Sequence, residues 1–294
     1  MSPCEKLIDL PHAEWGGAAS HGVAERACAG IEAGRVLFLP ELSFACEARE
    51  ATLFTPSILG SSKNASYDPA TRKLGGTTAT GSDADALQAL IHRFSESAAS
   101  LIEWLLPAYH GRIVRGRASF RPAEIAGRQS SWRKDDTRLH IDAFPSNPMH
   151  GTRLLRVFCN VNPGDEPRRW RVGEPFEAHA QRYLPAIPRP LLGSAWLMDA
   201  VGITKRRRTE YDHMMLQLHD RAKADAAFQS GSPQARVDFA PGTTWVVFSD
   251  QVLHAAMGGQ HMMEQTFYLA PEHQHRPEAS PLGILERLTG RTLR

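Results

Sequence analysis

The chain has 294 residues, 42% of them hydrophobic and 22% charged, which suffices for one large core and excludes a disordered polyelectrolyte. Thirty-four Lys+Arg against 32 Asp+Glu leave a formal charge of +2, too balanced for a generic nucleic-acid binder. Four cysteines (Cys4, Cys28, Cys46, Cys159) stand far apart without a CxxC pair, which argues against a disulfide framework and a zinc knuckle. Arginine outnumbers lysine 28 to 6, a bias that fits either a GC-rich coding sequence or bidentate recognition of carboxylates and phosphates. The most apolar stretch, from Ser100 to Leu106, is short and broken by Glu103, and the N-terminus lacks an apolar segment. A soluble cytoplasmic protein is expected, with peripheral contact to an anionic membrane surface left open.

Residues 35–40 read as a buried strand closed by Pro40, and the polar stretch 61–82 as a surface loop. A helix then runs to Pro107, with Ser82 and Asp85 as a capping box and Leu87, Leu90, Ile91, Phe94, Ala98, Leu101 and Leu105 at 3–4 spacing. Short strands follow at 117–126, 138–143, 153–161, 194–199, 235–239, 244–249 and 264–269, with Pro241-Gly242 as a tight connection. A second helix over 209–228, capped by Thr209 and Asp212, interrupts them. Pro281 behind Ser280 opens a short last helix over roughly 281–290. A helical first third followed by many short strands predicts a mainly β protein with bracing helices, built on a jelly-roll core. We read residues 1–294 as one domain: strand and helical brace 34–110, core 111–270 with a helical insert 204–230, and tail 271–294.

His140-Ile141-Asp142 would place an imidazole and a carboxylate on one face of a strand. With a distant His, these make a 2-His-1-carboxylate triad that leaves Fe(II) coordination positions open. HxD alone is weak, because a core His bonded to a neighbouring Asp explains it equally well. His254, just past the apolar segment 244–249 and followed by Gly258-Gly259, is the candidate distal ligand. It lies 112 residues beyond Asp142, a span the helical insert can absorb.

Longer strings carry a resemblance. Leu139 to Pro148, Arg156 to Pro163, Lys63 to Pro69, Phe120 to Arg128, Glu210 to Asp220 and Glu264 to Leu269 resemble the Kdo hydroxylases, over roughly residues 34–270. The resemblance implies a double-stranded β-helix oxygenase that uses Fe(II), with 2-oxoglutarate and O2 as cosubstrates. The implied reaction hydroxylates C3 of Kdo on Kdo-bearing lipid A, and the implied ligands are His140, Asp142 and His254. Many related oxygenases carry a basic residue some ten positions after the distal His; here Glu264 and Gln265 stand there. Another arrangement in the superfamily places the basic residue on the strand after HxD, and the resemblance then implies Arg156 as the partner of the 2-oxoglutarate carboxylate, with Arg153 in reserve. The two sit three apart on one strand and so face opposite sides, while Asn160 shares the face of Arg156 and is a further candidate contact to the same ligand.

Two basic runs remain. Arg112, Arg115, Arg117, Arg121, Arg128, Arg133, Lys134 and Arg138 form a band, and Lys205-Arg206-Arg207-Arg208 a cluster. Both suit either a solvated surface or a substrate with carboxylates and phosphates. On the second helix, Tyr211, Met214, Met215 and Leu218 read as core, while His213 and His219 are candidate substrate contacts. Two alternatives stand beside this reading: the same chemistry on a protein or small-molecule acceptor, and a non-catalytic sugar-binding jelly roll.

Overall fold

In β6 (Arg153–Asn160), side chains alternate between two faces, as strand geometry requires. Leu155, Val157 and Cys159 enter one core and Phe158 another. Both faces are therefore buried, and this strand lies at the centre of the fold. The computed structural model describes residues 6–17, 20–127 and 130–294; Cys4 and Arg128 lie outside them.

β6 belongs to an eight-stranded sheet of order β1-β2-β9-β6-β11-β5-β3-β4. Its members are β1 (Leu7–Asp9), β2 (Val36–Leu39), β3 (Ala65–Asp68), β4 (Lys73–Gly75), β5 (Ile113–Arg121), β9 (Thr244–Phe248) and β11 (Met262–Leu269). The outer face is covered by α1 (His21–Glu32) and α2 (Gly81–Leu105), whose buried stripe Leu87, Leu90, Ile91, Phe94, Ala98, Leu101 and Leu105 keeps the expected spacing. The inner face meets a three-stranded sheet, β10 (His254–Gly258), β7 (Arg168–Val172) and β8 (Ala235–Phe239). Aromatic rings fill the space between, with Phe239 stacked on Trp245 at 4.0 Å and Trp170 edge-on to both Phe239 and Trp245. A third layer covers the small sheet. It comprises α3 (Phe176–Tyr183), α5 (Glu210–Ala224), α6 (Ala226–Gly231) and α7 (Pro281–Thr289), packed on Leu139, Ile141, Leu253 and Ala255. Apart from parallel β1–β2, the paired strands are antiparallel. This is the expected jelly-roll core.

Several elements differ from the expectation. Residues 194–199 lie in a helix, α4 (Ser194–Ala200), entered through Gly193 at φ 77°. Ala-Trp-Leu-Met-Asp-Ala has good helix formers and no β-branched residue, and its apolar run reflects exposure rather than a buried strand. Residues 138–143 form no ladder; His140 alone makes a bridge, to His254. The 61–82 loop contains the β3–β4 hairpin. α2 starts at Gly81 behind Thr80, without the Ser82–Asp85 box. Thr209–Asp212 does form a capping box, but the helix stops at Asp225, which then caps α6 by accepting from Phe228 N. Ser280 caps α7 as expected. Elements α1, β1, β7, α3 and β10 carried no strong local signal.

Candidate metal centre and the cavity around it

His140 and His254 are opposite partners in an antiparallel bridge: His140 N donates to His254 O (3.0 Å), and His254 N to His140 O (2.8 Å). Residues paired this way project side chains to one face, so two histidines 114 positions apart stand next to one another. Their ring centroids are 4.7 Å apart. Asp142 follows two residues after His140, held by its own N–H donating to Ser249 O at 2.8 Å. One ligand atom from each of the three lies within 4.8 Å of the others.

The tautomers follow from the neighbours. His140 Nδ1 lies 2.7 Å from Arg138 O and His254 Nδ1 2.8 Å from Val252 O. A carbonyl only accepts, so each Nδ1 carries the proton and each Nε2 keeps its lone pair. Trp170 stacks on His254 (5.1 Å, 21°), and His219 stands edge-on to His140 (5.6 Å). Burial drives the pKa of His140 well below the ordinary histidine value, and the neighbouring His254 and Lys223 add to it. Burial also lowers that of His254. For Asp142 burial works upward, but Arg156 and the two imidazoles outweigh it and hold the carboxyl below the usual range. Two neutral imidazoles and an anionic carboxylate form a donor set that suits Fe(II).

A cavity of about 240 Å³ opens beside the three ligands, and Lys63, Arg121, Arg156 and Arg168 line it together with Phe158 and Trp170. Arg156 points inward, its Nη2 3.0 Å from Asp142 Oδ2 and its Nη1 bonded to Glu264. Glu264 also holds Arg121, so one buried carboxylate fixes two guanidinium groups. Burial raises the Glu264 pKa, yet Arg121 and Arg156 bring it below its ordinary value. The residue that departs from the basic pattern after the distal His thus organises the arginines instead.

Two expected cosubstrate contacts lie elsewhere. Arg153 faces the opposite side of β6, fully buried, donating to Asp250 (2.7 Å), Gln274 (2.7 Å) and Gln251 (2.6 Å) over the Phe248 ring. Strand alternation places it there, away from the cavity. Asn160 is on the Arg156 face but spends its amide on chain connections, donating to Phe239 O (3.0 Å) and accepting from Asn162 N (3.0 Å). His261, the next histidine after His254, packs against Phe54 and Phe120.

The basic band is not a continuous patch. Arg115 pairs with Glu96, Arg121 with Glu264, Arg133 with Asp220 and Arg138 with Asp135. On α5, Tyr211, Met214, Met215 and Leu218 are core, and His213 bonds Pro188 O near the surface. His219 reaches His140. Sequence reasoning missed Lys63, Asn64, Arg168 and Trp170 as cavity residues. The signal for the last two was alternation in Arg-Arg-Trp-Arg-Val, masked by the flanking polar loop.

Two facing, mainly antiparallel sheets with two imidazoles and one carboxylate converging between them define a non-haem iron oxygenase of the jelly-roll class. The family model described as 3-deoxy-D-manno-oct-2-ulosonic acid (Kdo) hydroxylase matches residues 14–292. Crystal structures of the Kdo hydroxylase KdoO, a non-heme Fe(II) alphaketoglutarate-dependent dioxygenase, superpose closely. Its complex with alphaketoglutarate and Fe(III) gives a TM-score of 0.95 at 43% identity, covering 98% of this chain and 97% of that one. The cobalt(II) complex gives 0.96 at the same identity and coverage. No curated protein matches the chain by sequence. The chain belongs to the Kdo hydroxylase family.

Proposed function

We propose that this single-domain enzyme hydroxylates C3 of a Kdo sugar carried on lipid A, with His140, Asp142 and His254 as the Fe(II) ligands and 2-oxoglutarate and O2 as cosubstrates. The observation that carries the site assignment is the pair of Nδ1–H groups committed to backbone carbonyls, which leaves both Nε2 atoms free beside Asp142. KdoO, similar over nearly its whole length, has been crystallised with Fe(III) and alphaketoglutarate or succinate, which supports the same cofactors here. The bound iron would supply oxidative chemistry strong enough to replace an unactivated C–H bond by C–OH, coupled to decarboxylation of the cosubstrate.

The chain's own residues prepare that chemistry. Asp142 stays anionic at neutral pH because Arg156 stands beside it. Around the cavity, Lys63, Arg121, Arg156 and Arg168 stand against Asp136, Asp142 and Glu264, net positive by one before any metal. A dianionic cosubstrate and an acidic sugar both suit that balance. Arg156 is our choice for the far carboxylate of 2-oxoglutarate, and Arg121 and Arg168 are the further guanidinium groups within the same cavity. Phe158, Trp170, Ile125 and Met262 form apolar walls that limit water next to the ligands.

The test is mass spectrometry of the lipopolysaccharide core from a host lacking the activity. Expression of this chain should add one oxygen to Kdo, and the H254A variant should add none. An unchanged Kdo mass with succinate still formed would move the activity to another acceptor.

A further inference from the structure

Among the described residues, seven large hydrophobic side chains are exposed, and six of them fall within thirteen positions: Leu191, Leu192, Trp196, Leu197, Val201 and Ile203. Leu192 is fully exposed and Trp196 62% exposed. Trp196 and Leu197 project from α4 and Val201 follows at its C-terminal end, and none of the three joins a hydrophobic core. Single exposed apolar residues are ordinary, whereas a contiguous patch marks an interaction surface.

The flanks of the patch are cationic. Arg189 precedes it, Lys205, Arg206, Arg207 and Arg208 follow it, and Asp199 is the one acidic residue in between. An apolar helix carrying Trp, collared by Lys and Arg, matches the interfacial region of a bilayer with anionic headgroups: rings and aliphatic chains enter the acyl boundary while cations stay at phosphate level. No helix among the described residues is long and apolar enough to cross a membrane, so such contact would be peripheral.

The patch is also tied to the cavity. Lys205 N donates to Ser146 O (3.0 Å), Arg206 Nη2 to Pro148 O (3.0 Å), Arg208 to Pro145 O, and His150 Nε2 to Arg207 O (2.7 Å). This loop runs directly from Asp142 through Phe144, which lines the cavity. The basic flank of the patch is thus held by the loop that leaves the ligand Asp142.

We infer that residues 189–208 form a docking surface for an anionic lipid bilayer, which brings the cavity to a lipid-borne acceptor. This rests on the reading above that the sugar is carried on lipid. The charge argues for a membrane over a second copy of the chain, since two such patches would face each other with like-charged collars.

The experiment compares full-length protein with L192S/W196S and with K205Q/R207Q, which spare Arg206 and Arg208. Each is sedimented with phosphatidylcholine vesicles, with or without phosphatidylglycerol, at low and high salt. The parent should bind the anionic vesicles and release at high salt. K205Q/R207Q should lose the anionic preference, and L192S/W196S should bind about ten-fold less tightly. Both variants should keep parental turnover of a Kdo acceptor without acyl chains and lose turnover of the same sugar on lipid in vesicles. Parent that stays in the supernatant, or variants that sediment like it, overturn the inference. So does a parental dimer that L192S/W196S dissociates and vesicles leave intact. Vesicle binding without hydroxylation of either acceptor would instead sink the functional reading and leave the docking surface standing.

Discussion

The proton on Nδ1 of His140 and of His254 goes to a backbone carbonyl two residues away, so each ring is oriented before any metal arrives. Loss of a ligand should therefore cost more than the ~10–100-fold loss in metal affinity typical of removing an outer partner. Anaerobic Fe(II) titration of H140A, D142A and H254A should show no tight site in each, with the fold retained by circular dichroism. Parental iron affinity in H254A would move the distal ligand elsewhere. The two arginines of β6 should separate cleanly. R156K keeps the charge but loses the fork that spans Asp142 and Glu264, so the apparent KM for 2-oxoglutarate should rise on the order of ten-fold. R153A should leave that KM alone and lower stability by about 3–5 kcal/mol in urea, because Asp250 would remain buried without its partner. At this scale the sequence was informative where strand period decides the matter. It placed Arg153 and Arg156 on opposite faces and His140 beside Asp142. It was silent on Arg168, Trp170 and Glu264, whose roles depend on which strands become neighbours.

Among the elements, α3 tests how packing governs protonation. His179 is buried against Tyr183 and Phe228, and burial lowers its pKa to about 4. The unfolded chain, with a pKa near 6.5, binds more protons between these values, so stability rises with pH across that window. The neutral ring's contribution is present above pH ~6.5 and is lost as pH falls toward 4, worth roughly 3 kcal/mol when complete. Urea unfolding of H179Q at pH 7 and pH 4.5 should show a shallower loss than the parent; equal losses would remove His179 as the cause. Elements whose packing face was continuous, such as α2, were legible from spacing alone. α4 was misread as a strand because its apolar run is exposed, a case the periodic signal does not distinguish. Likewise the HxD segment is not a regular strand; it is held by the His140 bridge to β10 and by the Asp142 N–H bond to Ser249 O.

For the whole molecule, a metal that binds only the native state adds stability by mass action, about 2.7 kcal/mol at a hundredfold excess over Kd. Co(II) as a redox-silent probe should raise the melting temperature of the parent by several degrees and leave H254A unmoved. A similar rise in H254A would place the bound ion outside these three ligands. The His140–His254 bridge has a consequence for biogenesis as well. Two of the donors leave the ribosome together, but the third follows only after a long intervening stretch has been made, and β10 must then pair back across that loop. A nascent chain that lacks β10 offers a histidine and an aspartate but not the complete trap. Iron capture therefore comes after long-range strand pairing, and a chain that has stalled or been truncated before residue 254 is spared a loaded redox centre exposed to solvent.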